Sequence, residues 1–309
     1  MRPLAALVVC GLALGAGCSP NASETDSASA NDTPAGTKAT VHEALAMPAQ
    51  PTLNPADFRS AQVCAACHPN HAGEWATSRH AFAMKDPVFR KLVALRQTEL
   101  DGREDQFCTQ CHSPIGTRGG ECVSGFDFAS LSPIVLEGVT CETCHKASAI
   151  VRTHNSGLQI DPSGPLRAGI QEPTPNKTHD AAPTGLLSGA NFCATCHDVY
   201  ETSGVPLERP YAEWLESPAA AAGQTCQDCH MARYDGKAAL TGPERKGLHR
   251  HRFVGADPPL TTATSDAQRA EMIAARDALM ATAAEIRIDL DPAASAGTPL
   301  DVHVTAKNR

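Results

Sequence analysis

One five-residue word constrains this chain more than any other feature. Cys-X-X-Cys-His occurs five times in 309 residues. The copies are Cys64-Ala-Ala-Cys67-His68, Cys108-Thr-Gln-Cys111-His112, Cys141-Glu-Thr-Cys144-His145, Cys193-Ala-Thr-Cys196-His197 and Cys226-Gln-Asp-Cys229-His230. This spacing is the attachment signature of c-type haem. Two cysteines one helical turn apart can form thioethers with both vinyl groups of one porphyrin. The histidine that follows can then bind the iron from one face. Five c-type haems are therefore expected, with His68, His112, His145, His197 and His230 as proximal iron ligands. Cys-X-X-Cys also occurs in zinc knuckles. A knuckle does not need histidine directly after the second cysteine, and here it follows every time.

Composition agrees with an interior filled by macrocycles. Aromatic residues are only 4%, while Gly and Pro number 23 each. A chain of this length normally buries a sizeable apolar core, and the usual core formers are thin here. The net charge of −8 argues against a nucleic-acid-binding surface.

The N-terminus reads as an export signal. Met1-Arg2 is a short positive region, and Leu4 to Leu14 is an apolar stretch too short to span a bilayer. Leu14-Gly-Ala-Gly-Cys18 resembles a lipoprotein cleavage box, although Gly15 stands where such boxes usually have Leu. Cys18 is the lipidation candidate, and Ser19 after it would suit outer-membrane sorting. Residues 1–18 are thus read as a signal peptide of lipoprotein type. Residues 19–56, rich in Ser, Ala, Asp, Thr and Pro, are read as a flexible tether. Residues 57–260 form the pentahaem domain, and 261–309 a helix followed by β-strands. The expected setting is the periplasm or cell surface, with a lipid anchor in the outer membrane. No later segment is apolar enough to cross a bilayer. The attachment motifs use ten of the thirteen cysteines. Cys10 lies in the signal, and Cys122 is left over as a small buried side chain.

The second axial ligand decides what each iron can do. The candidates are His80, His154, His179, His249 and His251. His80 lies on an expected helix running from Trp75 toward Met84, and His179 in a Pro-rich loop before the fourth motif. His154 follows the third motif, and His249 and His251 sit together in Leu248-His-Arg-His-Arg-Phe253. His71, three residues after a proximal histidine, is a weaker candidate. His303 in a strand pattern and His42 in the tether are weaker still. Met84 and Met231 read as packing residues. A fully bis-histidine protein fits this inventory, and so does one with an open iron.

An internal echo joins Glu74-Trp-Ala-Thr-Ser78 to Glu213-Trp-Leu-Glu-Ser217. The plain reading is two unrelated helical turns, each with a packing tryptophan. The attachment motifs themselves recur at irregular spacing, which excludes a solenoid.

Several of these segments resemble the multihaem cytochrome c family. They are Val63-Cys-Ala-Ala-Cys-His68 with Glu74-Trp-x-x-Ser-x-His80-Ala81, then Phe192 to Val199, Tyr211 to Ser217, Cys226 to Met231, and His251-Arg-Phe253. That family includes the tetrahaem electron carrier of ammonia oxidation and relatives of hydroxylamine-oxidising and nitrite-reducing cytochromes. The resemblance spans about residues 57–260. It implies His80 and His251 as distal ligands, haems packed in parallel and perpendicular pairs, and electron transfer to redox partner proteins. In the second echo Ala219 stands where a histidine would match His80, so that copy offers no ligand.

The expected fold is mostly α with extensive loop, built around covalent haems, with a short C-terminal β segment. Residues 265–284 read as a helix capped by Ser265 or Asp266. Ala284 to Leu290 and Leu300 to Ala306 alternate as strands do. A lone terminal hairpin is marginal, so the chain reads as the front of a longer protein with a β-domain.

Function reads as an electron relay rather than an enzyme. No substrate constellation stands out, and none of the five motifs has Lys in place of His. The only tyrosines are Tyr200, Tyr211 and Tyr234, which gives no support to a crosslinking tyrosine of the hydroxylamine-oxidising kind. The alternative is an oxidoreductase acting on a small nitrogen or sulfur compound at one open haem. Replacing Cys18 with Ser is expected to move the protein from the membrane fraction to the soluble one. Continued membrane association would remove the lipid anchor.

Overall fold

The computed structural model describes residues 50–103, 105–201, 203–257, 264–290, 296–297 and 299–308. The export signal, Cys18, His42 and the tether up to residue 49 lie outside these residues.

Short helices carry the attachment motifs. Asp105–His112, Cys141–His145, Ala190–His197 and Cys226–His230 each end on a proximal histidine. The first motif is split differently. A helix at Ala61–Ala65 stops inside the motif, and a second begins at Pro69, whose ring is preset for a first helical position. The expected continuous helix over Trp75 to Met84 is broken. Pro69–Ala76 ends, and Ser78 then caps Arg79–Phe82 by accepting from the Ala81 amide at 3.4 Å. Serine competes for the backbone in this way, which is why it starts helices more readily than it sits inside them.

The longest helix among the described residues before residue 258 is Pro87–Leu100. Asp86 caps it, accepting from Val88 and Phe89 amides at 2.8 and 3.0 Å. Asp101, at φ 53, ends it in a left-handed turn. The expected C-terminal helix forms at Asp266–Ala283, with Ser265 and Gln268 in a reciprocal capping box.

Among the described residues ten strands pair two by two. β1 (Ala147–Ile150) pairs β2 (Leu158–Ile160), and β3 (Leu166–Ala168) runs parallel to β4 (Ala181–Pro183). β5 (Val199–Tyr200) pairs β6 (Pro206–Glu208), and β7 (Arg233–Lys237) pairs β8 (Glu244–His249). β9 (Ala284–Leu290) pairs β10 (Val302–Asn308), two residues beyond the start expected at Leu300. Helix dominates, with small strands and loops between, as expected. The first four ribbons are an addition to that expectation. Three of them are antiparallel and one, β3 with β4, is parallel. Among the described residues no helix is long and apolar enough to cross a membrane.

The apolar core is modest. Phe58, Met84, Val93, Ile115, Phe126, Val135 and Leu158 gather with Cys122 between the long helix and the second and third motifs. A smaller group joins Ala61, Trp75 and Ala81 to Phe82 and Phe253. Ile115 is completely buried. Ile115→Ala leaves a cavity in the main cluster and is expected to lower unfolding free energy by about 2–5 kcal/mol, read from the denaturant midpoint.

Candidate haem-binding sites

Each attachment turn brings its sulfurs and its imidazole into one place. Backbone bonds from Cys67 and His68 amides to the Cys64 carbonyl, at 3.1 and 2.8 Å, wind the first motif into such a turn. The other four obtain the same geometry from their helices. Among the described residues no three His, Cys, Asp or Glu side chains converge as a bare metal site. A tetrahedral zinc site needs four such donors. A haem iron needs one or two, because the porphyrin supplies the rest.

Backbone carbonyls hold four of the proximal rings. Nδ1 of His68 lies 2.6 Å from the Ala238 oxygen, and that of His112 lies 3.0 Å from Ala83. Nδ1 of His145 lies 2.6 Å from the Arg167 oxygen, and that of His230 lies 2.6 Å from Val254. A carbonyl can only accept, so Nδ1 carries the proton and Nε2 keeps its lone pair. Metal-binding histidines are oriented in this way. The small ribbons now have a purpose: β3 delivers Arg167, and the turn between β7 and β8 delivers Ala238.

Three proximal rings face a candidate distal ring. His80 and His197 have centroids 6.1 Å apart, and His145 and His251 also 6.1 Å. His68 and His179 are 6.4 Å apart. An ion bound by two imidazole nitrogens at about 2 Å each spaces the ring centres by about 6 Å. The residues therefore fit the group. His71 also stands 6.4 Å from His68, but its Nε2 meets the Tyr234 hydroxyl at 2.7 Å. Burial, reinforced by His197 and His112, pushes His80 down to about 3. Burial, then His145 and His71, does the same to His251. Both rings stay neutral, the form that binds metal.

The remaining candidates are placed elsewhere. His154 makes a ring contact with Tyr200, and His249 directs Nδ1 at the Met231 carbonyl, 2.7 Å away. Neither has a ring contact with a proximal histidine among the described residues. Phe89 stacks on His112 at 3.9 Å and 3°. His303 lies exposed on β10.

Cysteines of different motifs meet. Side-chain hydrogen bonds join Cys64 to Cys141, Cys111 to Cys196 and Cys193 to Cys226. Cys144 lies within electrostatic range of Cys196 and Cys193. The first motif thus adjoins the third, and the fourth adjoins the second, third and fifth.

The Glu-Trp-x-x-Ser echo is structural. Both copies run from a helix through a break to a Ser-capped turn, with Ala81 and Ala220 amides on Ser78 and Ser217. Trp75 Nε1 donates to the Val139 carbonyl at 2.8 Å, and Trp214 Nε1 to Gln224 at 3.0 Å. Each acceptor stands two residues before an attachment motif, the third and the fifth. The plain reading of two unrelated turns missed this, because nothing in the word itself names the partner carbonyl.

Glu74 was also missed as a site residue. It is buried, pairs with Arg250 at 2.7 Å and accepts from the His251 amide at 2.8 Å. It thereby fixes the strand end that carries His251. Phe253 follows at φ 49, a costly conformation for a bulky residue, and packs 4.3 Å from His80 and 5.8 Å from His251.

The two tryptophans predict unequal costs. Val139 is half-buried and Gln224 exposed. Trp75→Phe is expected to cost more stability than the about 1 kcal/mol of Trp214→Phe, because water replaces only the second donor freely. Denaturant titration of both variants checks the order.

Residues 63–146, which span the first three motifs, match the sequence profile of the family described as cytochrome c554 and c-prime. In fold the chain is similar to a penta-heme cytochrome c552 from Thermochromatium tepidum, with a TM-score of 0.53 at 17% identity. The likeness covers 82% of this chain and 66% of that one, so this chain spans just under two thirds of that protein's length. No curated protein sequence matches the chain. The profile match covers residues 63–146 alone, and the structural likeness is one of fold.

Proposed function

We propose that this protein is an exported electron relay carrying five covalent c-type haems, at least three of them bound by two histidines. The observation that carries the reading is the set of three ring pairs, His68 with His179, His145 with His251 and His197 with His80, at 6.1–6.4 Å. The ten motif cysteines hold the porphyrins. The haem irons, when bound, supply one-electron chemistry by cycling between ferric and ferrous states. The chain's own part is to fix ligands, exclude water and set distances. His68 with His179, His145 with His251 and His197 with His80 would supply each of three irons with two neutral imidazoles, which suits a carrier.

The cysteine contacts support a branched route. The first and third sites form one pair, the third adjoins the fourth, and the fourth also meets the second and fifth. Electrons entering at the first site would reach a junction at the fourth. A redox partner protein docks at an end of this route. Cys18 carries the proposed lipid anchor, which places the relay at the outer membrane, facing the periplasm or the cell surface.

A second reading is favoured by one observation. His112 and His230 face no second histidine ring among the described residues. An iron there would keep an open position for a small nitrogen or sulfur compound, and the protein would then be an oxidoreductase. Absorption spectra of the holoprotein with and without carbon monoxide separate the readings. A wholly low-spin spectrum indifferent to carbon monoxide removes the enzyme. A high-spin band that shifts supports an open iron, whose turnover of such compounds must then be measured.

His80→Ala is expected to turn one low-spin haem into a high-spin haem that binds carbon monoxide. Electron paramagnetic resonance checks it, and an unchanged low-spin count removes His80 as a ligand.

A further inference from the structure

The residue directly after the first cysteine differs among the five motifs. It is Ala65 in the first, Thr109 in the second, Glu142 in the third, Ala194 in the fourth and Gln227 in the fifth. Haem attachment makes no demand on this position, since the sulfurs and the imidazole come from the fixed ones. Long polar side chains stand there in the third and fifth motifs, and both are buried. A buried polar group needs a partner, so it matters where these two find theirs.

Each finds it on the chain that leads into another motif. Glu142 accepts from the Arg59 amide at 2.8 Å, shortly before Cys64 of the first motif. The Arg59 guanidinium stands 3.7 Å from the same carboxylate and donates to the Thr178 carbonyl at 3.4 Å, next to His179. Glu137 adds a second grip, accepting from the Ser60 hydroxyl and from the Ala61 amide at 2.9 Å. Gln227 donates through Nε2 to the Leu187 and Gly189 carbonyls at 2.8 and 2.9 Å. Gly189 directly precedes the helix Ala190–His197 of the fourth motif. The gripping and gripped motifs are also ones whose cysteines meet, Cys64 with Cys141 and Cys193 with Cys226. In both pairs the gripped motif has alanine where the gripping motif has its long side chain. Thr109 of the second motif turns inward instead. It donates to the Asp105 carbonyl of its own helix at 3.2 Å and accepts from Thr117 at 2.9 Å.

We infer that Glu142 and Gln227 are positioning residues, each setting the spacing between its own haem and the haem of the motif it grips, third to first and fifth to fourth. The inference rests on the relay reading above. In each such step one electron leaves a ferrous iron and reduces the neighbouring ferric one, with no bond made or broken. The rate of that step falls steeply with distance, so a contact that stops two attachment turns from sliding governs it. The two grips are chemically opposite. A carboxylate accepts from an amide, and a carboxamide donates to carbonyls. Exchanging Glu and Gln therefore spares one grip and breaks the other.

The test is electron paramagnetic resonance of the fully oxidised holoprotein and its variants, with haem count by mass. Ferric haems held close couple their spins, and a coupled pair gives a signal unlike that of an isolated haem. Glu142→Ala is expected to lose one coupled signal and Gln227→Ala a different one, each replaced by signals of isolated haems. Glu142→Gln keeps an acceptor oxygen for the Arg59 amide and is expected to keep its coupled signal. Gln227→Glu sets a carboxylate against two carbonyls and is expected to lose its own. Thr109→Ala removes bonds from the same motif position without touching either grip, and is expected to lose neither signal. An unchanged coupled signal in either alanine variant, loss of the same signal in both, or loss in Thr109→Ala overturns the inference. So does a five-haem wild type with no coupled signal. If an alanine variant does not mature, the exchange variant at that position decides, and loss in Glu142→Gln or retention in Gln227→Glu overturns it. A wild-type mass with fewer than five haems would instead defeat the relay reading.

Discussion

The buried Glu74 carboxylate ties the two ends of the motif-bearing part together. A buried charge is tolerated only with a partner. Glu74 meets Arg250 and the His251 amide. That contact sets the backbone from 249 to 254, and much follows from its course. His251 is brought to His145, Phe253 is wedged against His80, and the Val254 carbonyl is brought to His230. Three proximal sites therefore depend on one carboxylate near the start of the fold.

The same residue explains how the Glu-Trp-x-x-Ser word works. In the first copy Glu74 places one ligand strand, Trp75 anchors the third motif and Ser78 starts the turn that carries His80. In the second copy Trp214 and Ser217 keep their bonds, while Glu213 is exposed and Ala219 replaces the histidine. Anchoring survives where ligand placement does not. The two functions of the word are thus separable, one serving the attachment turn and the other the iron of a different motif.

The sequence disclosed the chemistry more readily than the geometry. The attachment turns were legible because covalent chemistry demands adjacent residues. The helix at Asp266–Ala283 and the strand Ala284–Leu290 were legible because capping and alternation are local. The ribbons β1 to β8 were not, since strands of two to six residues carry no period to detect. Nor could the ring pairs be read. His80 meets a residue of the fourth motif and not its neighbour in the first, and only tertiary structure reports that. The candidate list held His80, His179 and His251, each 6.1–6.4 Å from a proximal ring, but its order along the chain says nothing of their partners.

The interleaving of the cysteine contacts bears on how the molecule is assembled. Exported as proposed, the chain would emerge from its N-terminus. Cys64 emerges first, but its neighbour Cys141 follows only after the entire second motif. Cys111 waits similarly for Cys196, whereas Cys193 and Cys226 arrive close together. The early cofactor sites must stay open and reachable while the later ones appear, and closure runs from long loops to short. The apolar core is too slight to force early collapse, and that slightness keeps the half-emerged chain accessible to whatever attaches its haem.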